Sequence, residues 1–143
     1  MSGSTGYRLP TEAQWEYAAK GGDPTAAGWV GYTYAGSDNP NEVAWYSSNS
    51  GSKTHEVGKL AANGLGIHDM SGNVYEWCWD WYGSYSSGAQ TDPQGASSGS
   101  YGSYRVHRGG YWSHSAEYVR SAYRYNLDPY FRSSNIGFRL ARP

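Results

Sequence analysis

Between Arg105 and Arg142 the chain sorts its chemically versatile side chains into two kinds of position. A frame of Arg105-Val106, Arg108-Gly109-Gly110, Trp112, Arg120, Ala122, Arg124, Pro129, Arg132 and Ile136-Gly137-Phe138-Arg139 alternates with loose positions. The loose positions are His107, Tyr111, Ser113, His114, Ser115, Glu117, Tyr118, Tyr123, Tyr125, Asn126, Leu127, Asp128, Tyr130, Phe131, Ser133, Ser134 and Asn135. Their chemistry is that of reversible recognition: Tyr offers rigid contact area with a hydroxyl, and Ser and Asn adapt their hydrogen bonds to the partner. Neither Lys nor Gln occurs from Arg105 to Pro143, although an ordinary surface segment would include both. By the codon table, every loose residue except Glu117 can be encoded by a codon ending in a pyrimidine. AAC and AAT codons yield the set when only their adenines are replaced. Trp112 lies outside that set and is expected in the core.

Other reactive groups offer less. His55, His68, His107 and His114 show no metal-ligand spacing, which argues against zinc. The single cysteine, Cys78, excludes an internal disulfide and two-cysteine chemistry within one chain. Set between Trp77 and Trp79, it reads as a small buried hydrophobe. Arg120, Arg124, Arg132 and Arg139 are expected to tie loops to backbone carbonyls and carboxylates. Asp80 and Asp92 read as turn and cap residues, and Tyr101 and Tyr104 as scaffold.

The elements that must position these groups are short. With 143 residues the chain is expected to form one domain, 1–143, with 105–142 a ligand-binding segment inside it that the resemblance given below implies to be variable. Twenty Gly, 15 Tyr and 7 Trp against 2 Phe and 2 Met describe a loop-rich fold with an aromatic core. A net charge of −1 argues against a nucleic-acid or anionic-membrane partner. No apolar run approaches the ~18 residues of a membrane span, so no membrane insertion is expected. Met1 to Gly6 is polar rather than signal-like, and the compartment stays open. Leu9-Pro10-Thr11-Glu12-Ala13-Gln14 predicts a helix with Thr11 as N-cap and Gln14 completing a capping box, stopped by Gly21-Gly22. Residues 23–60 read as irregular, apart from a short apolar piece at Val43-Ala44-Trp45-Tyr46. Val74, Trp77 and Trp79 read as a buried strand and its turn, and residues 83–103 as a solvated loop. Arg105-Val106 and Gly137-Phe138-Arg139-Leu140 predict strands flanking the loose segment.

Four motifs, in order, carry a family resemblance. They are Leu9-Pro10-Thr11-Glu12-Ala13-Gln14-Trp15-Glu16-Tyr17-Ala18-Ala19, Asn63 through Trp77 (Asn-Gly-Leu-Gly-Ile-His-Asp-Met-Ser-Gly-Asn-Val-Tyr-Glu-Trp), Arg108-Gly109-Gly110 and Gly137-Phe138-Arg139. This set resembles the sulfatase-modifying, formylglycine-generating enzyme family. The resemblance implies an α+β, C-type-lectin-like fold: loop-rich, with a small antiparallel sheet and short helices. Members usually carry a strand-and-helix portion ahead of the first motif. Almost nothing precedes it here, so a minimal version or a piece completed elsewhere is expected.

The family's oxidases use two cysteines, five residues apart and shortly after the Gly-Gly, to bind copper, since soft thiolates suit Cu(I). The matching positions here are His114 and Val119, and a nearby family serine falls on Tyr111; no enzyme activity is expected. A sulfoxide-forming iron enzyme would need a histidine cluster ahead of the first motif. The tail also resembles the variable proteins of diversity-generating retroelements, in which adenine-directed reverse transcription rewrites a binding face on a lectin-like scaffold. The function implied is binding of a ligand, a protein or cell-surface molecule, through the loose residues. The alternatives are a formylglycine-generating-type oxidase and an ordinary glycan-binding lectin-like domain. No cofactor is required, but the resemblance implies a structural calcium on the carboxylates of Asp69 and Glu76 and the carbonyls of Gly72 and Val74. The other reading of that turn is that Asn73 and Glu76 simply hydrogen-bond it.

Overall fold

The computed structural model describes residues 6–96 and 103–142. The readings of residues 1–5, of Tyr101 and of part of the 83–103 loop lie outside them. Helix α1 runs Glu12–Ala19 and has the predicted capping box: Thr11 Oγ1 accepts from the Gln14 amide, and Gln14 Oε1 accepts from the Thr11 amide. This box satisfies two amides that a helix start leaves without partners. Gly21 and Gly22 end the helix at positive φ. Its inward face is Glu12, Trp15 and Ala19, while Ala13 and Tyr17 point outward.

A four-residue helix α2 (Pro40–Val43) leads into strand β1 (Ala44–Trp45), which pairs in parallel with β2 (Ser71–Gly72). The main sheet contains β3 (Tyr75–Trp81), β4 (Arg105–Arg108), β5 (Arg124–Leu127) and β6 (Ile136–Gly137), in the order β5-β4-β3-β6. It is mixed rather than purely antiparallel, because β6 returns parallel to β3. The chain must cross the sheet between β5 and β6, and the loose residues Asp128, Tyr130, Phe131, Ser133, Ser134 and Asn135 occupy that crossing. β5 itself was not foreseen, since Arg124-Tyr125-Asn126-Leu127 lies wholly within the loose segment.

Two apolar clusters hold these pieces together. One joins Trp15, Ala19, Ala35, Met70, Cys78 and Val106 between α1 and the sheet. The other joins Tyr34, Val43, Ala44, Tyr46 and Val119 under the β1–β2 pair. Three expectations about burial are corrected. Alternation along β3 puts Tyr75, Trp77, Trp79 and Trp81 on one face and Glu76, Cys78 and Asp80 on the face against α1. Trp79 is therefore exposed, and the buried face of that strand is mostly polar. Val74 and Trp112 are only half-buried, on turns beside the sheet rather than in either cluster.

The polar face is stabilised by ion pairing. Arg108, fully buried, donates to Glu12 at 2.7 Å and to Glu16 at 2.6 Å. Arg124 forks onto both oxygens of Glu12 at 2.8 and 2.6 Å. Asp80 Oδ2 accepts the Glu12 amide at 2.7 Å, so a β3 carboxylate caps the helix from across the interface, as its reading as a cap residue anticipated. Burial raises the Asp80 pKa against that hydrogen bond. Charge buried without partners would cost several kcal/mol per ion, and here each ion has at least one.

Candidate binding cavity

On the opposite face of the sheet the loose segment builds a cavity of about 510 Å³. Its walls are Tyr75, His107, Tyr111, His114, Tyr118, Tyr123, Tyr125, Leu127, Phe131, Asn135 and Ile136. A closed circuit of ring contacts surrounds it: Tyr75 to Tyr111 at 5.6 Å, Tyr111 to His114 at 4.0 Å and His114 to Tyr118 at 5.0 Å. It continues from Tyr118 to Tyr123 at 5.1 Å, Tyr123 to Tyr125 at 6.4 Å and Tyr125 back to Tyr75 at 6.2 Å. Tilted, offset and edge-on arrangements at these spacings suit the ring quadrupole.

Backbone contacts hold the segment in place and leave most of its side chains uncommitted. Gly109 O accepts from the Gly72 amide at 2.7 Å, Trp112 N donates to Asn73 O, and His114 O accepts from Ser47 N. Asn135 O accepts from the Tyr75 amide, which docks the far end of the crossing on β3. Gly110 sits at φ +72°, where a Cβ would lie 2.6 Å from Tyr118 O, so the chain can fold back here only without a side chain. The short 3-10 turn Ala116–Val119 presents Tyr118 outward and sinks Val119 into the core. Four of the six frame arginines brace the loops as expected. Arg120 donates to Glu117 O, Arg132 to Pro129 O and Phe131 O, Arg124 to Gly83 O and Glu12, and Arg139 to Glu76, His68 O and Asp69 O.

Of the expected binding residues, the structure gathers His107, Tyr111, His114, Tyr118, Tyr123, Tyr125, Leu127, Phe131 and Asn135 onto the cavity. His107 is a correction: it is a fully buried floor residue, because β4 is flanked on both sides and places it opposite Trp77 and Tyr125. Burial, with His114 nearby, holds its pKa down to about 4, so the ring is neutral at ordinary pH. Burial also lowers the His114 pKa. Asn126 is a second correction, since strand alternation turns it, with Arg124, toward the helix face. Ser113, Ser115, Glu117, Asp128, Tyr130, Ser133 and Ser134 are exposed but off the cavity wall. Asp128 caps a local turn, accepting the Tyr130 amide at 2.9 Å.

Tyr75 and Ile136 are the wall residues that sequence reading missed, and Tyr75 is the one in the aromatic circuit. It falls in the second family motif and looks like scaffold, yet its ring touches His107, Tyr111, His114 and Tyr125. Burial, reinforced by the neighbouring phenols, raises its pKa well above the usual tyrosine range. Its position at the start of β3, on the Trp77 face, was the one available signal.

The calcium set fits poorly. Glu76 Oε2 accepts from Trp15 Nε1 and Arg139 Nε, each at 2.6 Å, and Oε1 accepts from Arg139 Nη2 at 2.7 Å. Asp69 Oδ2 accepts the Gly58 amide, and Asn73 holds the His55 backbone through both its amide atoms. A guanidinium thus already neutralises the carboxylate a cation would need. Among the described residues no group of three or more His, Cys, Asp or Glu is placed to hold a metal ion. The cysteine-equivalent positions hold His114, in the aromatic circuit, and the buried Val119. Cys78 is buried against α1, and its thiol pKa is raised by that burial and by Glu12.

Known proteins match along the whole chain. The model of the sulfatase-modifying factor enzyme 1-like domain matches residues 1–143. The solved structure of Treponema denticola variable protein 1 superposes with a TM-score of 0.84 at 46% identity, covering 97% of this chain and 49% of that one. The chaperone protein LppX of Paenibacillus barcinonensis is 38% identical over 157 residues, covering 98% of this chain and 50% of its own length. The formylglycine-generating enzyme of Streptomyces coelicolor is 36% identical over 155 residues, covering 95% and 46%. The chain spans about half the length of these relatives. The expected fold is borne out, and by the match of its full length the chain belongs to the sulfatase-modifying factor enzyme 1-like domain family.

Proposed function

We propose that this chain is a binding module whose loose residues form a variable, retroelement-diversified ligand face on a formylglycine-generating-enzyme-like scaffold. The observation that carries the reading is the aromatic circuit: all its members except Tyr75 are loose positions, and the backbone beneath them is held without their side chains. Likeness to a variable protein of Treponema denticola supports it. The ligand is a protein or cell-surface molecule, for which exposed Tyr118, Tyr125 and Phe131 offer aromatic anchors. An oxidase reading lacks the paired thiolates, because the sequence contains one cysteine and that one is buried. A glycan-binding reading lacks a carboxylate on the cavity wall.

The test is joint replacement of Tyr118, Tyr123 and Tyr125 by Ser, scored against the ligand recovered by displaying this variant to cell-surface extracts. Lost binding at unchanged melting temperature is expected; retained binding would overturn the reading. Sequencing the neighbouring DNA tests the diversification directly, through a near-identical repeat that differs only where it carries adenines.

A further inference from the structure

We infer that the cavity takes an N–H-bearing organic cation, foremost the guanidinium of an arginine side chain, and this rests on the binding reading above. The first observation is charge. The wall carries no Asp, Glu, Lys or Arg, so an entering cation meets neither an ion pair nor a like charge there. What it meets are aromatic rings, of which Tyr75, Tyr125 and Tyr123 lie nearly parallel, with interplanar angles of 13° and 14°. Ring faces carry the negative lobe of the aromatic quadrupole and attract cations within about 6 Å.

The second observation is independent. Three buried atoms on the wall lack hydrogen-bond partners: both ring nitrogens of His107 and Oδ1 of Asn135. His107 has no exposed surface. Leaving a buried polar atom without a partner forfeits the hydrogen bond it would make to water, so such atoms in a cavity call for a complementary occupant. Asn135 Oδ1 can only accept, and a neutral imidazole accepts through one nitrogen. His107 stays neutral because burial depresses its pKa.

The candidate ligands separate on these features. An anion would face ring π-clouds and carbonyl lone pairs with no cation on the wall. A purely apolar group would leave Asn135 and His107 unpartnered. A guanidinium stacks on tyrosine faces and carries several N–H donors, enough to serve acceptors on more than one wall residue. The cavity, about 510 Å³, also leaves room for the aliphatic stem.

The test titrates the full chain with Nα-acetyl-arginine methylamide, its neutral citrulline counterpart and p-cresol, following the tyrosine ring resonances by NMR. The arginine amide is expected to shift the Tyr118, Tyr123 and Tyr125 rings and to bind at least about tenfold more tightly than citrulline, a factor equivalent to about 1.4 kcal/mol. Asn135→Leu should reduce that preference while the remaining ring resonances keep their dispersion. Equal or tighter binding of citrulline, or cavity shifts from p-cresol alone, would overturn the cation inference and leave the binding reading standing. No shift from any probe, with Tyr123→Ser still abolishing capture of the displayed partner, would also overturn it. No shift and no effect of Tyr123→Ser would remove both.

Discussion

The two faces of the four-stranded sheet handle polarity in opposite ways. Toward α1 the sheet presents the buried Glu76, Asp80 and Arg108 and the half-buried Arg124, cross-linked to the helix through Glu12, Glu16 and Trp15. Toward the cavity it presents Tyr75, Trp77, His107 and Tyr125, neutral and aromatic, with histidine nitrogens unpartnered. The first face is held by specific ion pairs and hydrogen bonds between charged partners. The second is joined by ring contacts that many side chains could replace. Geometry is thus fixed by charge on the helix side, apart from the side chains that line the cavity.

The sharpest way to break this contrast is to remove a charge from the helix face. Glu12→Gln leaves Arg108 and Arg124 without their shared carboxylate, and about 3–5 kcal/mol of stability should be lost in chemical denaturation. A loss below 1 kcal/mol would mean that the network does not fix the scaffold.

His107 tests the cavity floor by pH. Its folded pKa of about 4 lies below the ordinary 6.5, so the unfolded chain binds the extra proton in between. Its stabilising contribution is complete above pH 6.5 and is lost as pH falls toward 4, on the order of 3 kcal/mol. The stability difference between the parent and His107→Phe should therefore narrow or reverse across that window. Parallel pH profiles would show that His107 does not titrate there.

The smallest effect belongs to the rim. Tyr130→Ser, at a side chain 83% exposed, should change stability within about ±0.5 kcal/mol. A loss comparable to that of Glu12→Gln would abolish the division into scaffold and face.

Local signals were legible where neighbours in sequence interact. Thr11 and Gln14 cap α1 because a capping box closes within one turn, and Gly21-Gly22 ends it through backbone freedom alone. The bracing arginines were legible too, since a guanidinium among Tyr and Ser needs carbonyls or carboxylates to satisfy it. Misread were the residues whose surroundings depend on pairing. Trp79 carries an apolar ring but lies on the outer face of β3, under the Arg105 guanidinium at 5.1 Å. His107 and Asn126 share the loose segment's chemistry, yet one is sealed into the cavity floor and the other turned to the helix side.

By itself the sequence determined the family motifs, the helix with its caps, and the division between frame and loose positions. These depend on residue identity and on spacings of a few residues. Only the tertiary structure decided that Tyr75 completes the aromatic circuit, that Arg139 occupies the Glu76 carboxylate, and that the loose residues divide between wall and rim. The physical reason is register. A strand's side chains alternate, so one step in pairing moves each residue to the other face, and register here is set by distant partners such as Glu76 with Arg108 and Tyr75 with Ile136.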